Sequence, residues 1–213
     1  MEPISRAIEL NVGYRKNFPI LENCNLEIYL GEMIALLGPN GSGKSTLIRT
    51  WCGLQKQLSG KIVSIPEVSF SLVPQVKNIN FGFPMSVKDT LLLPRKAKTF
   101  FKKVKFTLKE EELLEKSGIT NILYNQISQC SGGQLQKVLI VRSLFSYAKI
   151  IFLDEPMDAL DPTTTQTMLE VLKSFKKENQ MSFFLITHNA SQEFLDNFDR
   201  VFEIQLKQIV QKK

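Results

Sequence analysis

The sequence predicts an α/β fold: a largely parallel sheet covered on both faces, with a helical insertion. Two observations carry most of this. Short unbroken apolar runs, "MIALL", "IIFL" and "FFLI", lead directly into glycines, carboxylates or a histidine. Runs of that length without polar alternation mark strands buried on both sides. Segments with apolar residues at helical spacing lie between them, and strands alternating with helices build a parallel sheet. A third observation is local: the stretch from about Pro84 to Tyr147 changes texture, with prolines, a basic run and helical signals.

Taken in order, "LNVGY" and "NLEIYL" read as strands, the second with Leu26, Ile28 and Leu30 alternating to one face. "MIALL" is the first buried strand. "STLIRTWCGL" follows as a helix, with Gly53 near its end. "KIVSI" and "VSFSLVP" are strands. "KEEELLEKSGI" and "SGGQLQKVLIVRSLF" are helices; the second sets Leu135, Val138, Leu139, Val141, Leu144 and Phe145 at helical spacing. "KIIFLDE" is a second buried strand. Pro162 suits the first turn of the next helix, whose apolar face is Met168, Leu169, Leu172 and Phe175. "SFFLITH" is a third buried strand, and "RVFEIQ" is expected to be the last. No internal repeat or low-complexity linker interrupts the chain.

The bulk numbers limit function. The 213 residues are 43% hydrophobic and 23% charged, as in an ordinary globular protein. The apolar runs are far below the ~20 residues of a membrane span. The opening "MEPISRAIELNVGY" lacks the basic flank and apolar core of an export signal. Cys24, Cys52 and Cys130 are widely spaced, and His188 is the single histidine. A zinc site or disulfide framework is not expected, and reduced thiols fit a cytosolic chain. The net charge of +6 draws on "RKAKTFFKKVKFTLK", Arg95 to Lys109, where Phe100, Phe101 and Phe106 interleave with lysines. Such a stripe suits a solvated helix face, an anionic membrane surface or nucleic acid.

"LLGPNGSGKSTL" carries the chemistry. Gly38, Pro39, Asn40, Gly41, Ser42, Gly43, Lys44 and Ser45 fit GxxxxGK[ST] between a strand and a helix, the context that defines a phosphate-binding P-loop. Glycines let backbone N–H groups turn towards phosphate oxygens, and the following helix adds the partial positive charge of its N-terminus. Lys44 should reach the β/γ-phosphates; Ser45, with Thr46 beside it, should meet Mg²⁺. Hydrolysis also needs carboxylates at the end of a neighbouring buried strand. "IIFLDE" supplies Asp154, placed to hold Mg²⁺, and Glu155, placed as general base for the attacking water.

With both halves in place, the motif order resembles the ATP-binding cassette (ABC) ATPase family nearly end to end. "SGGQ", Ser131-Gly132-Gly133-Gln134, resembles that family's signature and is the most discriminating element. Gln75 matches its Q-loop glutamine, Ala159-Leu160-Asp161 its D-loop, His188 its switch histidine, and Tyr14 the aromatic that stacks on adenine. The resemblance implies a P-loop NTPase (RecA-like) core with a small N-terminal antiparallel β region and an inserted α-helical subdomain. The whole chain, 1–213, would be one cassette, with a core of about 1–80 and 148–213 and a helical part of about 84–147. It implies ATP and Mg²⁺ as ligands, with Ser45, Gln75 and Asp154 around the metal, and Lys44, Glu155 and His188 as the catalytic set. It further implies a head-to-tail dimer, homodimer or heterodimer, in which each ATP lies between one subunit's P-loop and the other's SGGQ.

Ser131 and Asp161 also suit plain helix caps. Cys130 stands where the family has leucine, so looser packing is expected there. The interval from Lys44 to Gln75 is short, implying a trimmed antiparallel region. The chain stops soon after the last predicted strand, leaving no length for a C-terminal regulatory domain.

ATP hydrolysis must drive something. The expected role is the ATPase subunit of a transporter, peripheral on the cytoplasmic face of the membrane, working with a separate transmembrane permease. "PQVKNINFGFPMSVKDTLLLPR" is similar to the equivalent segment of zinc/manganese-type importer ATPases, and "FPMSV" to that of phosphate-type importers. The alternative is a non-transport cassette ATPase acting on nucleic acid or ribosomes. The long coiled coils or second cassette of those classes are missing, so no nucleic-acid partner is expected.

Overall fold

The computed structural model describes residues 2–76, 84–96 and 104–213. Its strands are β1 (Ser5–Val12), β2 (Leu21–Ile28), β3 (Met33–Leu37), β4 (Ser59–Ser64), β5 (Phe70–Val73), β6 (Ile150–Asp154), β7 (Ser182–Thr187), β8 (Arg200–Gln205) and β9 (Gln208–Gln211). Its helices are α1 (Lys44–Trp51), α2 (Val87–Lys96), α3 (Leu108–Lys116), α4 (Gly132–Leu144), α5 (Pro162–Asn179) and a short α6 (Gln192–Leu195). The strands form two sheets. One is antiparallel, ordered β2-β1-β4; the other is six-stranded, ordered β5-β6-β7-β3-β8-β9. In the large sheet every neighbouring pair is parallel except β8 with β9. This is the α/β architecture the apolar runs predict.

Strand alternation divides the interior into two layers. On β3, Met33 and Ala35 face one cluster and Ile34 and Leu36 the other. On β6, Ile151 and Leu153 pair against Ile150 and Phe152 in the same way, and on β7 Phe183 and Leu185 against Phe184 and Ile186. A strand with both faces covered cannot show polar alternation, which is why these segments read as continuous apolar runs. The layer towards the antiparallel sheet encloses α1 and an aromatic group. The Phe152 ring lies 6.0 Å from Trp51, 6.0 Å from Phe70 and 5.5 Å from Phe184, all tilted. Phe152→Ala should cost about 3–5 kcal/mol by emptying this fully buried position. Urea unfolding with an unchanged slope would show it; a loss under about 1 kcal/mol would remove Phe152 from the packing centre.

The opposite layer joins the sheet to the helices. After β5 the described residues 84–96 and 104–144 lie outside the sheet, and the chain returns to it as β6, the parallel neighbour of β5. Val87, Leu91, Leu113, Leu114, Val138 and Leu139 of α2, α3 and α4 belong to one cluster with Ile151, Leu153 and Leu172. Glu110, 1% exposed, is held by both oxygens on Arg95 Nη1 at 3.0 Å and closes a capping box with Thr107. The two ends of the basic run are therefore structural: Arg95 pairs with Glu110, and the Phe106 ring packs 5.8 Å from Phe145. Its middle, with Phe100 and Phe101, lies outside the described residues, as does the centre of "PQVKNINFGFPMSVKDTLLLPR".

Two features depart from the sequence reading. β8 is not the last strand, since β9 follows it across a tight reversal. Leu30 does not continue the buried face of β2 but sits in a turn, 36% exposed. Cys130 packs against the edge of the helical layer. Burial pushes the Cys24 and Cys52 thiols up to about 12, which keeps them protonated and inert. Among the described residues no helix is long and apolar enough to cross a membrane.

Candidate functional site

Parallel strands end together, so their following loops meet at one edge of the sheet. Register aligns Leu37 with Thr187, Asp154 with Ile186, and Val73 with Leu153. The residues just beyond are the P-loop, His188, Glu155 and Gln75.

After β3 the chain turns through residues 38–43 into α1. Gly43 has φ +101°, and a Cβ there would lie 2.7 Å from Ile20 Cγ2, so both conformation and space demand glycine. Lys44, 4% exposed, folds back over the loop and donates to the carbonyls of Gly38 (2.7 Å) and Pro39 (3.0 Å). Burial lowers its ammonium below the ordinary lysine range, and the carboxylates of Glu155, Asp154 and Asp158 oppose that shift. The Ser42 hydroxyl is buried without a hydrogen-bond partner among the described residues. An orphaned hydroxyl and a closed-in ammonium at the start of a helix fit an anionic oxygen ligand such as a phosphate.

At the end of β6, Asp154 is 8% exposed and accepts from Ser45 Oγ at 3.0 Å. Burial raises its carboxyl and the Ser45 bond opposes the rise. This adjacent hydroxyl and carboxylate are the oxygen donors a hard cation takes. Glu155 follows with φ 48°, a left-handed conformation costly for a residue with a Cβ. Its N–H donates to the Ile186 carbonyl at 3.0 Å, which fixes the strained turn to β7. The Glu155 side chain accepts from Gln75 Nε2 at 2.6 Å, and His188 Nδ1 lies 3.4 Å from its other oxygen. Gln75, expected at the metal, thus has its amide nitrogen on Glu155.

Two connected cavities open here. One of about 350 Å³ runs from Tyr14 past Asn40, Gly41, Gly43, Lys44, Ser45 and Thr46 to Gln75 and Glu155. Tyr14 is 72% exposed at its mouth, with its hydroxyl 3.4 Å from Thr46 Oγ1. The other, about 630 Å³, shares Asn40, Gln75 and Glu155 and extends to His188, Asp158 and Gln136. Asp158 and Gln136 were not singled out from sequence. The available signal for Gln136 was a polar residue on a helix whose neighbours are core; Asp158 gave none.

The SGGQ residues line neither cavity, nor does Asp161. Ser131 caps α4, accepting from the Gln134 N–H at 3.2 Å while Gln134 Oε1 accepts from the Ser131 N–H at 2.9 Å. Both residues of that box are accessible to solvent, and Ser131 and Gly132 are exposed. Asp161 caps α5 through the Thr164 N–H (3.0 Å) and hydroxyl (2.6 Å), which hold its carboxyl below the usual range. A Cβ on Gly133 would stand 2.9 Å from the Ala159 carbonyl, so the SGGQ loop and the segment after Glu155 touch closely. One chain therefore assembles the P-loop, Gln75, Asp154, Glu155 and His188, and leaves an exposed helix tip elsewhere.

A phosphate loop, a strand-end carboxylate pair and a separate SGGQ helix tip on a mostly parallel sheet define a cassette-type P-loop NTPase. The sequence profile of the family described as ABC transporter matches residues 21–158, and the chain belongs to that family. It is an ATP-binding subunit and an ATPase. The zinc import ATP-binding protein ZnuC of Paracoccus denitrificans is 31% identical over 189 residues, covering 89% of this chain and 71% of the relative. The manganese transport system ATP-binding protein MntB of Bacillus subtilis is 33% identical over 209 residues, covering 94% and 82%. Among solved structures, a metal-chelate type ABC transporter in an inward-facing conformation superimposes with a TM-score of 0.82 at 27% identity, covering 100% of this chain and 84% of that one.

Proposed function

We propose that this chain is the ATP-hydrolysing subunit of a metal-ion importer, peripheral on the cytoplasmic face of the membrane beneath a separate permease. The observation that carries the hydrolytic reading is the contact series Gln75–Glu155–His188 beside Lys44 and Ser45. Similarity to zinc and manganese transport subunits supports the cargo class. The nucleic-acid alternative is not favoured, since the relatives described above serve transport.

In this reading Tyr14 stacks on adenine. The backbone of residues 38–43 and the Lys44 ammonium bind the β- and γ-phosphates, with Thr46 beside them. Ser45 and Asp154 would hold Mg²⁺, with the amide oxygen of Gln75 as a further oxygen donor. The ion neutralises phosphate charge when bound. Glu155 accepts the proton of the water that attacks the γ-phosphorus, while the bond to the bridging oxygen breaks and ADP keeps the electron pair. His188 contacts the γ-phosphate, and Gln75 reports its loss to the permease side. A second copy's Ser131, Gly132, Gly133 and Gln134 close the site, and its Asp161 lies at the shared interface. Core (about 1–80 and 148–213) and helical part (about 84–147) act as one cassette.

Deletion of the gene followed by elemental analysis of the cells tests the cargo. Zinc or manganese uptake should fall several-fold and return with the wild-type chain but not with Lys44→Ala. Unchanged uptake of both metals would overturn the importer assignment. Purification from detergent-solubilised membranes should bring down a multi-span protein; nucleic acid in its place would revive the alternative.

A further inference from the structure

Asp158 has no part in the scheme above, yet it stands at the hydrolytic residues. Its Oδ2 lies 3.8 Å from His188 Nδ1, and Glu155 Oε1 lies 3.4 Å from the same nitrogen. One ligand atom from each of Glu155, Asp158 and His188 falls within 4.8 Å of the others. Donors about 2.1 Å from a tetrahedral ion are about 3.4 Å apart. Two of these separations already approach that edge, and a rotation of the more exposed Asp158 side chain would close the third.

A second observation comes from another element. Gln136, on α4, lines the same cavity and is 1% exposed, and its amide nitrogen has no acceptor among the described residues. A buried donor without an acceptor is costly, and an oxygen ligand in the cavity would satisfy it. A water or hydroxide on an ion is such a ligand, and the cavity of about 630 Å³ has room for it. The donor set also selects among ions. Two carboxylates balance a dication, and one imidazole nitrogen favours zinc, cobalt or manganese over magnesium.

We propose that Glu155, Asp158 and His188 form a binding site for a divalent transition-metal ion in the nucleotide-free chain, and that its occupation stops ATP hydrolysis. The second half rests on the reading of Glu155 and His188 as hydrolytic groups: an ion that holds both withdraws the base and the γ-phosphate contact together. Bound ATP and the ion then compete. Asp158 allows the two functions to be tested apart, since the hydrolytic scheme above assigns it no step.

The test is a Co²⁺ titration of the full-length, nucleotide-free protein followed by visible absorption. One equivalent should bind with ligand-field bands and without a sulfur-to-metal charge-transfer band, and Asp158→Asn, at an exposed position, should weaken binding at least about tenfold. Zn²⁺ should inhibit wild-type ATPase in excess Mg²⁺, with a tenfold higher inhibitory concentration in Asp158→Asn. Binding unchanged by Asp158→Asn, a dominant sulfur band, or no binding would overturn the site. Asp158-dependent Co²⁺ binding without zinc inhibition of an active enzyme would overturn the regulatory half. Asp158-dependent binding to a chain with no ATPase activity would uphold the site and overturn the hydrolytic assignment.

Discussion

Glu155→Gln should hydrolyse ATP at least about a hundredfold more slowly than the wild type while still binding it, because general-base assistance contributes about 10²–10⁴ in rate. The amide has the carboxylate's shape but cannot take a proton from water. Its position keeps the substitution local: the residue is fixed by its N–H on Ile186 and lies between Gln75 and His188. ATP that binds but does not turn over should hold two chains together, since a ligand bound only by the closed state shifts the equilibrium towards it. Phosphate release and size-exclusion chromatography at saturating ATP measure the two effects. A variant that turns over at more than a tenth of the wild-type rate would remove Glu155 as the base.

Lys44→Ala should lose at least about a hundredfold in ATP affinity. A charge-assisted contact to phosphate is about twice as strong as a neutral one, and this one acts in a partly dry site where screening is weak. In the nucleotide-free chain Lys44 meets two backbone carbonyls, which water can satisfy when the side chain is cut back. The fold should therefore survive. Fluorescent-nucleotide binding should show the loss, with a thermal midpoint without nucleotide within a few degrees of the wild type. Retained affinity would mean that phosphate binds elsewhere.

The fold was legible where a segment's environment is uniform. β3, β6 and β7 are covered on both faces, so their sequences are apolar throughout and their ends carry the reactive groups. The hairpin to β9 was not legible. Its turn residues, Leu206 and Lys207, have φ of 47° and 65°, where glycine or asparagine is the usual signal. β9 itself has little apolar pattern, since only Ile209 packs inward.

The site was legible by motif but not by contact. GPNGSGKS and LDE name the residues; nothing in their spacing says that Gln75 grips Glu155 or that Glu155 sits in a left-handed turn. Both depend on how β5, β6 and β7 are ordered, which is a tertiary fact. Ser131 and Asp161 suit both a cap and a nucleotide contact because the same oxygen chemistry serves both. In the single chain they are caps.

Whether Ser131 also completes a neighbour's site is the claim on which the mechanism turns, and mixing two inactive variants tests it. Lys44→Ala and Ser131→Arg should each be nearly inactive alone. In a head-to-tail pair of one with the other, both lesions fall in the same composite site and the second site is intact. An equimolar mixture should regain roughly a quarter of wild-type ATPase activity, the statistical share of intact sites. A mixture no more active than its components would contradict the shared site.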